Sequence, residues 1–572
     1  MTRTRWILLF AVLLLAVIGA WLWWVKPKQV DMATYAPADS LLYLEANHPI
    51  EVVDAIAGTQ AWKALESRPT ASRSAWLQRF IGWTGIGPIK SVILARAQVA
   101  VVVTDLRTVE EGETLNIKSE GALLIETHTS ESRIKATVEE ALKTLAEKTY
   151  VRPTLRRITI EGVEYSEWIA PEGSRQIVGV VFGSLVVIGT SERVVQDCLA
   201  VAQGRRLSLD NDPELHAMRL RLARGRALTF GYVPPGNSAR LLAVGLPLIL
   251  ERAPGDSEFQ RLIANGAAKV FGGLAWTSNT YLTGIEDRYL ISLQPSIVSH
   301  LKPTFSANNI NPPIQRVVPK GVYSVTSYRF VNPAAAWLSL KTAVSSQVDA
   351  LSAIVFASLL KSALLSYGIE EPESFLAAVN GELLTLRLED NADRSLLIAP
   401  VHDREALRKL LTRKMSVNPG LLGTAPMESF ADPAGEFAAT LSDEFIVIGS
   451  PSDVQHYSEA MATEPLIADD NLRRMTSFSS QTAGATIVTY TNDGDRIRNF
   501  RSAVIAAKSE PAGSSEQFEQ ALTTLPYSVT ETTLGDRGIE RTTRSPLGQF
   551  STLLPLLFPQ RTGPVNNGSQ SR

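Results

Sequence analysis

From Trp6 to Val25 the chain reads WILLFAVLLLAVIGAWLWWV, twenty residues without a charge. At a rise of about 1.5 Å per residue, such a run crosses the roughly 30 Å hydrocarbon layer of a bilayer and predicts a transmembrane helix. Trp21, Trp23 and Trp24 fall where an interfacial aromatic belt sits, with Lys26 and Lys28 beyond them and Arg3 and Arg5 before the run. A cleaved signal peptide has a shorter apolar core, of about 7–15 residues, and a small-residue cleavage site. The bulky Trp-Leu-Trp-Trp end predicts an uncleaved anchor instead. This places residues 1–5 in the cytoplasm, 6–25 in the membrane and the rest outside. No later run is long and apolar enough for a second span. Past residue 30 the apolar positions take up two shorter periods. Stretches such as TYLTGIEDRYLIS, residues 280–292, alternate as half-buried strands do, while ESRIKATVEEAL, residues 131–142, repeats as an amphipathic helix does. Adjacent strands look joined by hairpins, so the fold class is α+β with mainly antiparallel sheets; some strand-helix-strand order leaves α/β open.

The pattern also repeats itself. LVVIGTSERVVQDCLAVA at 185–202 returns as FIVIGSPSDVQHYSEAMA at 445–462. Five more segments echo in the same order: those starting at Pro37 and Pro319, Thr84 and Tyr367, Gly121 and Arg394, Ala227 and Ala485, and Leu274 and Tyr527. The spacing between partners shrinks along the chain, as loop insertions and deletions would make it. This predicts an internal duplication, with one α+β module at 31–301, a polar linker at 302–316, a second module at 317–559 and a disordered tail at 560–572.

Pro37, Asp39 and Tyr43 form a Pro-x-Asp-x-x-x-Tyr opening strand just after the anchor. Together with the Gly-Ile segments, the Val-Ile-Gly turns and RSPLG at 544–548, it resembles a bacterial family of membrane-anchored extracytoplasmic proteins whose shared domain has no assigned function. The resemblance covers most of residues 35–550. It implies location and architecture and brings no catalytic residues with it.

Composition removes some functions. A formal charge of −2 offers no basic face for a polyanion, so nucleic acid is not an expected partner. Cys198 is the single cysteine, which excludes an intrachain disulfide and reads as a buried small residue. Its counterpart in the repeat is Ser458.

The Gly turns have one glycine each and no following Lys, so they lack a phosphate loop. Thr190 and Ser450 read as helix N-caps, with Pro451 and Asp453 completing a capping box in the second copy. TGIGPIK, residues 84–90, lacks the glycine spacing of a dinucleotide fingerprint. The six histidines (His48, His128, His216, His300, His402 and His456) are scattered, and His128 and His402 fall in turns before helices. Acidic turns at 210–214, 390–394 and 491–495 do not complete a calcium loop. Ser132 with Lys135, Ser358 with Lys361, and Lys341 read as helix faces, which removes a penicillin-recognising serine enzyme. No catalytic, cofactor or metal residue is assigned, and no cofactor is expected.

Two apolar regions remain, Trp337–Gly368 and Gln549–Pro559. Core burial is the expectation for the first, and the second is open between burial and a membrane or partner contact. The sum is a single-pass inner-membrane protein with its bulk in the periplasm or outside the cell. Its expected role is non-catalytic binding or scaffolding, with the membrane and an envelope protein as partners. A lipid or apolar-ligand carrier and a hydrolase with a site between the modules are the competing readings.

Overall fold

The computed structural model describes residues 29–65, 97–111, 114–150, 152–173, 175–223, 227–238, 240–241, 257–305, 307, 317–391, 394–417, 427–463, 469–476, 478, 484–506 and 515–551. The expected tail 1–5, anchor 6–25, TGIGPIK, most of the linker and the tail 560–572 lie outside these residues. Among the described residues no helix is long and apolar enough to cross a membrane.

The fold is α+β, built on one large antiparallel sheet. Ten strands come from the first half: β1 (Leu42–Ala46), β2 (Gln98–Glu111), β3 (Thr114–Glu126), β4 (Thr154–Ile160), β5 (Val163–Ile169), β6 (Gln176–Phe182), β7 (Leu185–Gly189), β8 (Thr229–Val233), β9 (Phe271–Tyr281) and β10 (Gly284–Leu293). Ten come from the second: β11 (Ser324–Tyr328), β12 (Leu383–Arg387), β13 (Leu396–Pro400), β14 (Ser416–Val417), β15 (Glu428–Ala431), β16 (Ala438–Leu441), β17 (Phe445–Gly449), β18 (Ile487–Thr491), β19 (Ser528–Leu534) and β20 (Gly538–Ser545). Pairing runs 4-5-6-7-3-2-1-8-9-10 across the first half. It continues 20-19-18-11-12-13-17-16-15-14 across the second. Each first-half strand thus has the neighbours of the strand numbered ten higher, and β10 against β20 is the seam.

Two glycines let the seam close. A Cβ on Gly284 would stand 2.4 Å from the Ser545 carbonyl oxygen, and one on Gly538 2.1 Å from that of Ile291. Gly538 also has φ +143, a conformation that side chains oppose.

Strand alternation gives the sheet two faces. Ile285, Asp287, Tyr289 and Ile291 of β10 point to one, and Glu286, Arg288 and Leu290 to the other. Helices cover both: α1 (Pro49–Gly58), α2 (Gln60–Leu65), α3 (Glu131–Thr149), α4 (Glu192–Ala202), α5 (Pro213–Leu222), α6 (Ser257–Val270), α7 (Pro295–Leu301), α8 (Pro333–Ser345), α9 (Ala350–Leu365), α10 (Pro372–Ala378), α11 (Arg404–Thr412), α12 (Pro451–Thr463), α13 (Asp469–Thr476), α14 (Gly494–Ala506) and α15 (Ser515–Thr524). On the Glu286 face, α4 and α5 cover a core built around Tyr43, Val102, Leu124 and Tyr232, and α12 and α13 cover one built around Val325, Leu386, Ile398 and Val488.

The Asp287 face is shared between the halves. Ile56 and Trp62, from α1 and α2, pack with Phe518 and Leu522 of α15 and with Ile285. At the other end of the seam Val270 of α6 and Ile297 of α7 pack with Ala343 and Val344 of α8, and Phe356 of α9 and Ile539 pack against them. Each seam core therefore needs helices from both halves.

Two expectations about α8 and α9 part company. Asn332 caps α8 by accepting from the Ala335 N–H at 2.9 Å, with Pro333 in the first turn, as Val-Asn-Pro predicts. Core burial does not extend to α9, where Ser352 alone is buried. Its apolar residues run all round the helix, so one face is left over once α6 and α8 are packed.

Candidate functional site at the strand seam

The register of β10 against β20 sets the site. Arg288 stands opposite Thr542, with Glu286 opposite Arg544 on one side and Leu290 opposite Glu540 on the other. Glu531 of β19 is the next neighbour of Thr542 in the same row. Three carboxylates and two arginines separated widely in the chain thereby share one patch of the Glu286 face.

Arg544 is the hub. Its Nε donates to Glu286 Oε2 at 2.8 Å and its Nη1 to Glu531 Oε2 at 2.8 Å, while its guanidinium lies 5.1 Å from the Tyr281 ring centroid. Arg288 adds a second contact to Glu286, Nη2 to Oε1 at 2.6 Å. Burial alone would raise the Glu286 carboxyl, but Arg288 and Arg544 outweigh it and hold the group below the usual carboxylate range. Glu540 is held by Arg221 of α5, whose Nε donates to Oε1 at 2.9 Å. All three carboxylates are ion-paired.

Beside them is an opening of about 330 Å³, lined from the first half by Arg221, Arg288 and Leu290 and from the second by Glu531, Thr533 and Glu540. Near it Thr277 Oγ1, Asn279 Nδ2 and Glu531 Oε1 are buried with no hydrogen-bond partner. Thr277 pairs with Arg288, and Asn279 with Glu286, across β9 and β10. Such atoms are exceptions to the rule that buried polar groups are paired.

On the opposite face Asp287 is buried beneath the turn that follows β20. Ser278 Oγ donates to its carboxylate at 2.5 Å and the Gln549 N–H at 2.8 Å. Burial raises its pKa to about 6 against those two hydrogen bonds, with Glu286 adding to the rise. Gly548, at φ +62, brings the turn so close that a Cβ would lie 2.5 Å from Ile285. The RSPLG segment therefore supplies both the hub arginine and the turn that seals Asp287.

The Gly turns and the candidate catalytic strings singled out in the sequence lie elsewhere and do structural work. Ser450 caps α12, its Oγ accepting from the Asp453 N–H at 3.2 Å and donating to the Asp453 carboxylate at 2.7 Å. At the Gly189 turn the cap is one residue later than expected. Ser191 accepts from the Val194 N–H at 3.4 Å, whereas Thr190 exchanges hydrogen bonds with the Gly121 backbone of β3. The turn glycines answer to packing, since a Cβ on Gly189 or Gly449 would lie 2.6 Å from Val195 or Leu396.

Cys198 is buried and its thiol is pushed up to about 12, chiefly by burial. Ser458 bonds back to the Val454 carbonyl. Lys341 lies on α8 and pairs with Glu373, and Ser132, Lys135, Ser358 and Lys361 lie on α3 and α9. His128 and His402 sit in turns before helices; Asp403 caps α11 by accepting from the Ala406 N–H, while Ser130 holds the N-cap position of α3 without a side-chain cap bond. Among the described residues no group of three or more His, Cys, Asp or Glu is placed to hold a metal ion.

Sequence reasoning assigned no site residue and missed the seam cluster. The available signal was the Gly-Ile-Glu triplet at 284–286, repeated at 538–540. Comparison with family models, curated proteins and solved structures finds no match.

Proposed function

We propose that this chain is a single-pass, membrane-anchored envelope protein whose exported body is an internally duplicated, non-catalytic binding module. The seam carries this reading: an opening built from both halves whose Glu286, Glu531 and Glu540 carboxylates are each already engaged by an arginine. Such a surface presents hydrogen-bonding groups held in place by ion pairs, which suits recognition of a polar ligand.

The duplication is supported by the equal neighbour relations of strands ten apart. The echoed segments also fall on matching strands, such as β7 with β17 and β8 with β18. Extracytoplasmic placement rests on the Trp6–Val25 run and on the resemblance to an anchored bacterial family. The carrier reading has less behind it. The apolar-walled opening lined by Ile369, Phe375, Leu411 and Ile448 measures about 180 Å³. Ligand sites run from about 300 to 1,000 Å³.

The test uses the full chain in detergent with ester, amide, phosphoester and glycoside substrates. No turnover above that of a Glu531→Gln variant is expected. Robust turnover that Glu531→Gln abolishes would overturn the binding reading.

A further inference from the structure

The strand order reads the same outward from either side of the seam, so a local twofold axis passes between the antiparallel β10 and β20. Arg288 and Thr542 stand opposite each other, each the fourth residue after its seam glycine, and the axis runs between them. Thr277 of β9 flanks Arg288, and Glu531 of β19 flanks Thr542 at the twofold-related position. The opening of about 330 Å³ lies beside this row. It falls between the two cores of the Glu286 face: Leu222 of α5, from one core, lines it on one side, and Ala485, from the other, lines it across the axis.

The hydrogen-bonding groups of its wall are of two kinds. Arg288 directs Nε and Nη2 to Glu286 Oε1, at 2.7 and 2.6 Å, which leaves its Nη1 as a donor. Arg221 directs Nε and Nη2 to Glu540 Oε1, which leaves its Nη1 likewise. The carboxylates are engaged on one side only, Glu540 through Oε1 and Glu531 through Oε2. Glu540 Oε2 and Glu531 Oε1 are therefore acceptors with no donor among the described residues, and the second of them is buried. A buried carboxylate oxygen in that state is destabilising until a donor reaches it.

A hydroxyl group both donates and accepts, so a molecule carrying several meets both kinds of wall group at once. Neutrality fits the charge balance, since Arg221, Arg288 and Arg544 stand against Glu286, Glu531 and Glu540. An anion would be repelled by the free carboxylate oxygens and a cation by the arginines. Leu222 and Ala485 offer contact to C–H groups between the hydroxyls. The volume is at the small end of ligand sites, which run from about 300 to 1,000 Å³.

We infer that the axial opening binds a neutral sugar of one or two rings, with Arg221 and Arg288 donating to its hydroxyls and Glu531 and Glu540 accepting from them. The inference rests on reading the seam as a binding site.

The experiment is calorimetric titration of the full chain in a sugar-free detergent. The probes are glucose, N-acetylglucosamine, trehalose and maltose, with glucose 6-phosphate and glucosamine as charged counterparts. At least one neutral sugar is expected to bind with a Kd below about 1 mM, and at least about tenfold tighter than either counterpart. Glu531→Gln should weaken that binding at least about tenfold. Glu164→Gln, in a surface pair far along the sheet on β5, should leave it unchanged. Should Glu531→Gln lose its near-ultraviolet dichroism, Thr542→Val takes its place. It removes a hydroxyl from the wall without touching an ion pair, and a loss of at least about threefold is expected.

No binding of any neutral sugar at about 10 mM overturns the inference. Binding of a charged counterpart alone, weakened by the seam variant, overturns it and leaves the binding reading standing. Sugar binding that the seam variant does not change overturns it as well. Glu531-dependent hydrolysis of maltose or trehalose upholds the ligand class and overturns only the non-catalytic reading.

Discussion

The triplet Gly-Ile-Glu appears on both central strands, and the two copies live in different surroundings. Gly284 and Gly538 each allow the close approach of β10 and β20, and Ile285 and Ile539 each enter a core on the Asp287 face. The glutamates diverge. Glu286 is buried between Arg288 and Arg544, whereas Glu540 is half-exposed beside Arg221. Backbone closure and core packing are constraints both strands meet, while charge burial is where the two glutamates differ. The halves differ further out as well. β2 and β3 run for 14 and 13 residues, where β12 and β13 have 5 each.

The largest expected effect comes from separating the halves. Residues 29–301 or 317–551 expressed alone should lack a cooperative unfolding transition, because each seam core on the Asp287 face draws helices from both. Co-expression should restore it. A sharp thermal transition with near-ultraviolet dichroism from either half alone would break the comparison.

A step smaller are the two arginines. Arg544→Met strands Glu286 and Glu531 without their shared partner and should cost about 3–5 kcal/mol in denaturant unfolding. Arg221→Met removes a partly exposed pair and should cost under about 1 kcal/mol. Equal costs would mean the glutamate environments do not differ in energy.

Asp287 provides a pH readout of the buried side of the seam. Its folded pKa of about 6 lies above its ordinary value of 3.8, so the folded state takes up the proton first. This contribution to stability is fully present below pH 4 and is lost as pH rises through 6, amounting to at most about 3 kcal/mol. Denaturation midpoints of Asp287→Asn should change less than those of the parent chain across that window. Parallel profiles would remove Asp287 as the cause.

The smallest effects separate the two Gly turns. Ser450→Ala should cost about 1 kcal/mol as a lost N-cap, and so should Ser191→Ala. Thr190→Ala should cost less, since its hydroxyl serves the β3 backbone and not the helix. A larger loss at Thr190 than at Ser191 would reinstate it as the cap.

Alternation in segments such as Thr280–Ser292 was enough to read antiparallel strands, and Val-Asn-Pro enough to read the start of α8. Local signals stop where tertiary pairing decides. Thr190 and Ser191 are both good caps, and only the neighbouring Gly121 strand settles which hydroxyl is free for the helix. The exposure of α9 was hidden because its sequence is as apolar as a buried helix. The seam cluster was illegible for a different reason: Glu286, Glu531 and Arg544 acquire meaning only from the β10–β20 register, which no short window contains.

That register also has a consequence for how the chain is made. More than two hundred residues separate β10 from β20, so during synthesis β10 emerges long before its partner. For that interval it is an open hydrogen-bonding edge, the kind that pairs with the wrong chain. Asp287 and Arg288 at its centre make that edge unattractive to another apolar strand. The last strand to arrive is then the closing piece that turns two exposed sheets into one, and a chain that stalls before Gly538 advertises itself as unfinished.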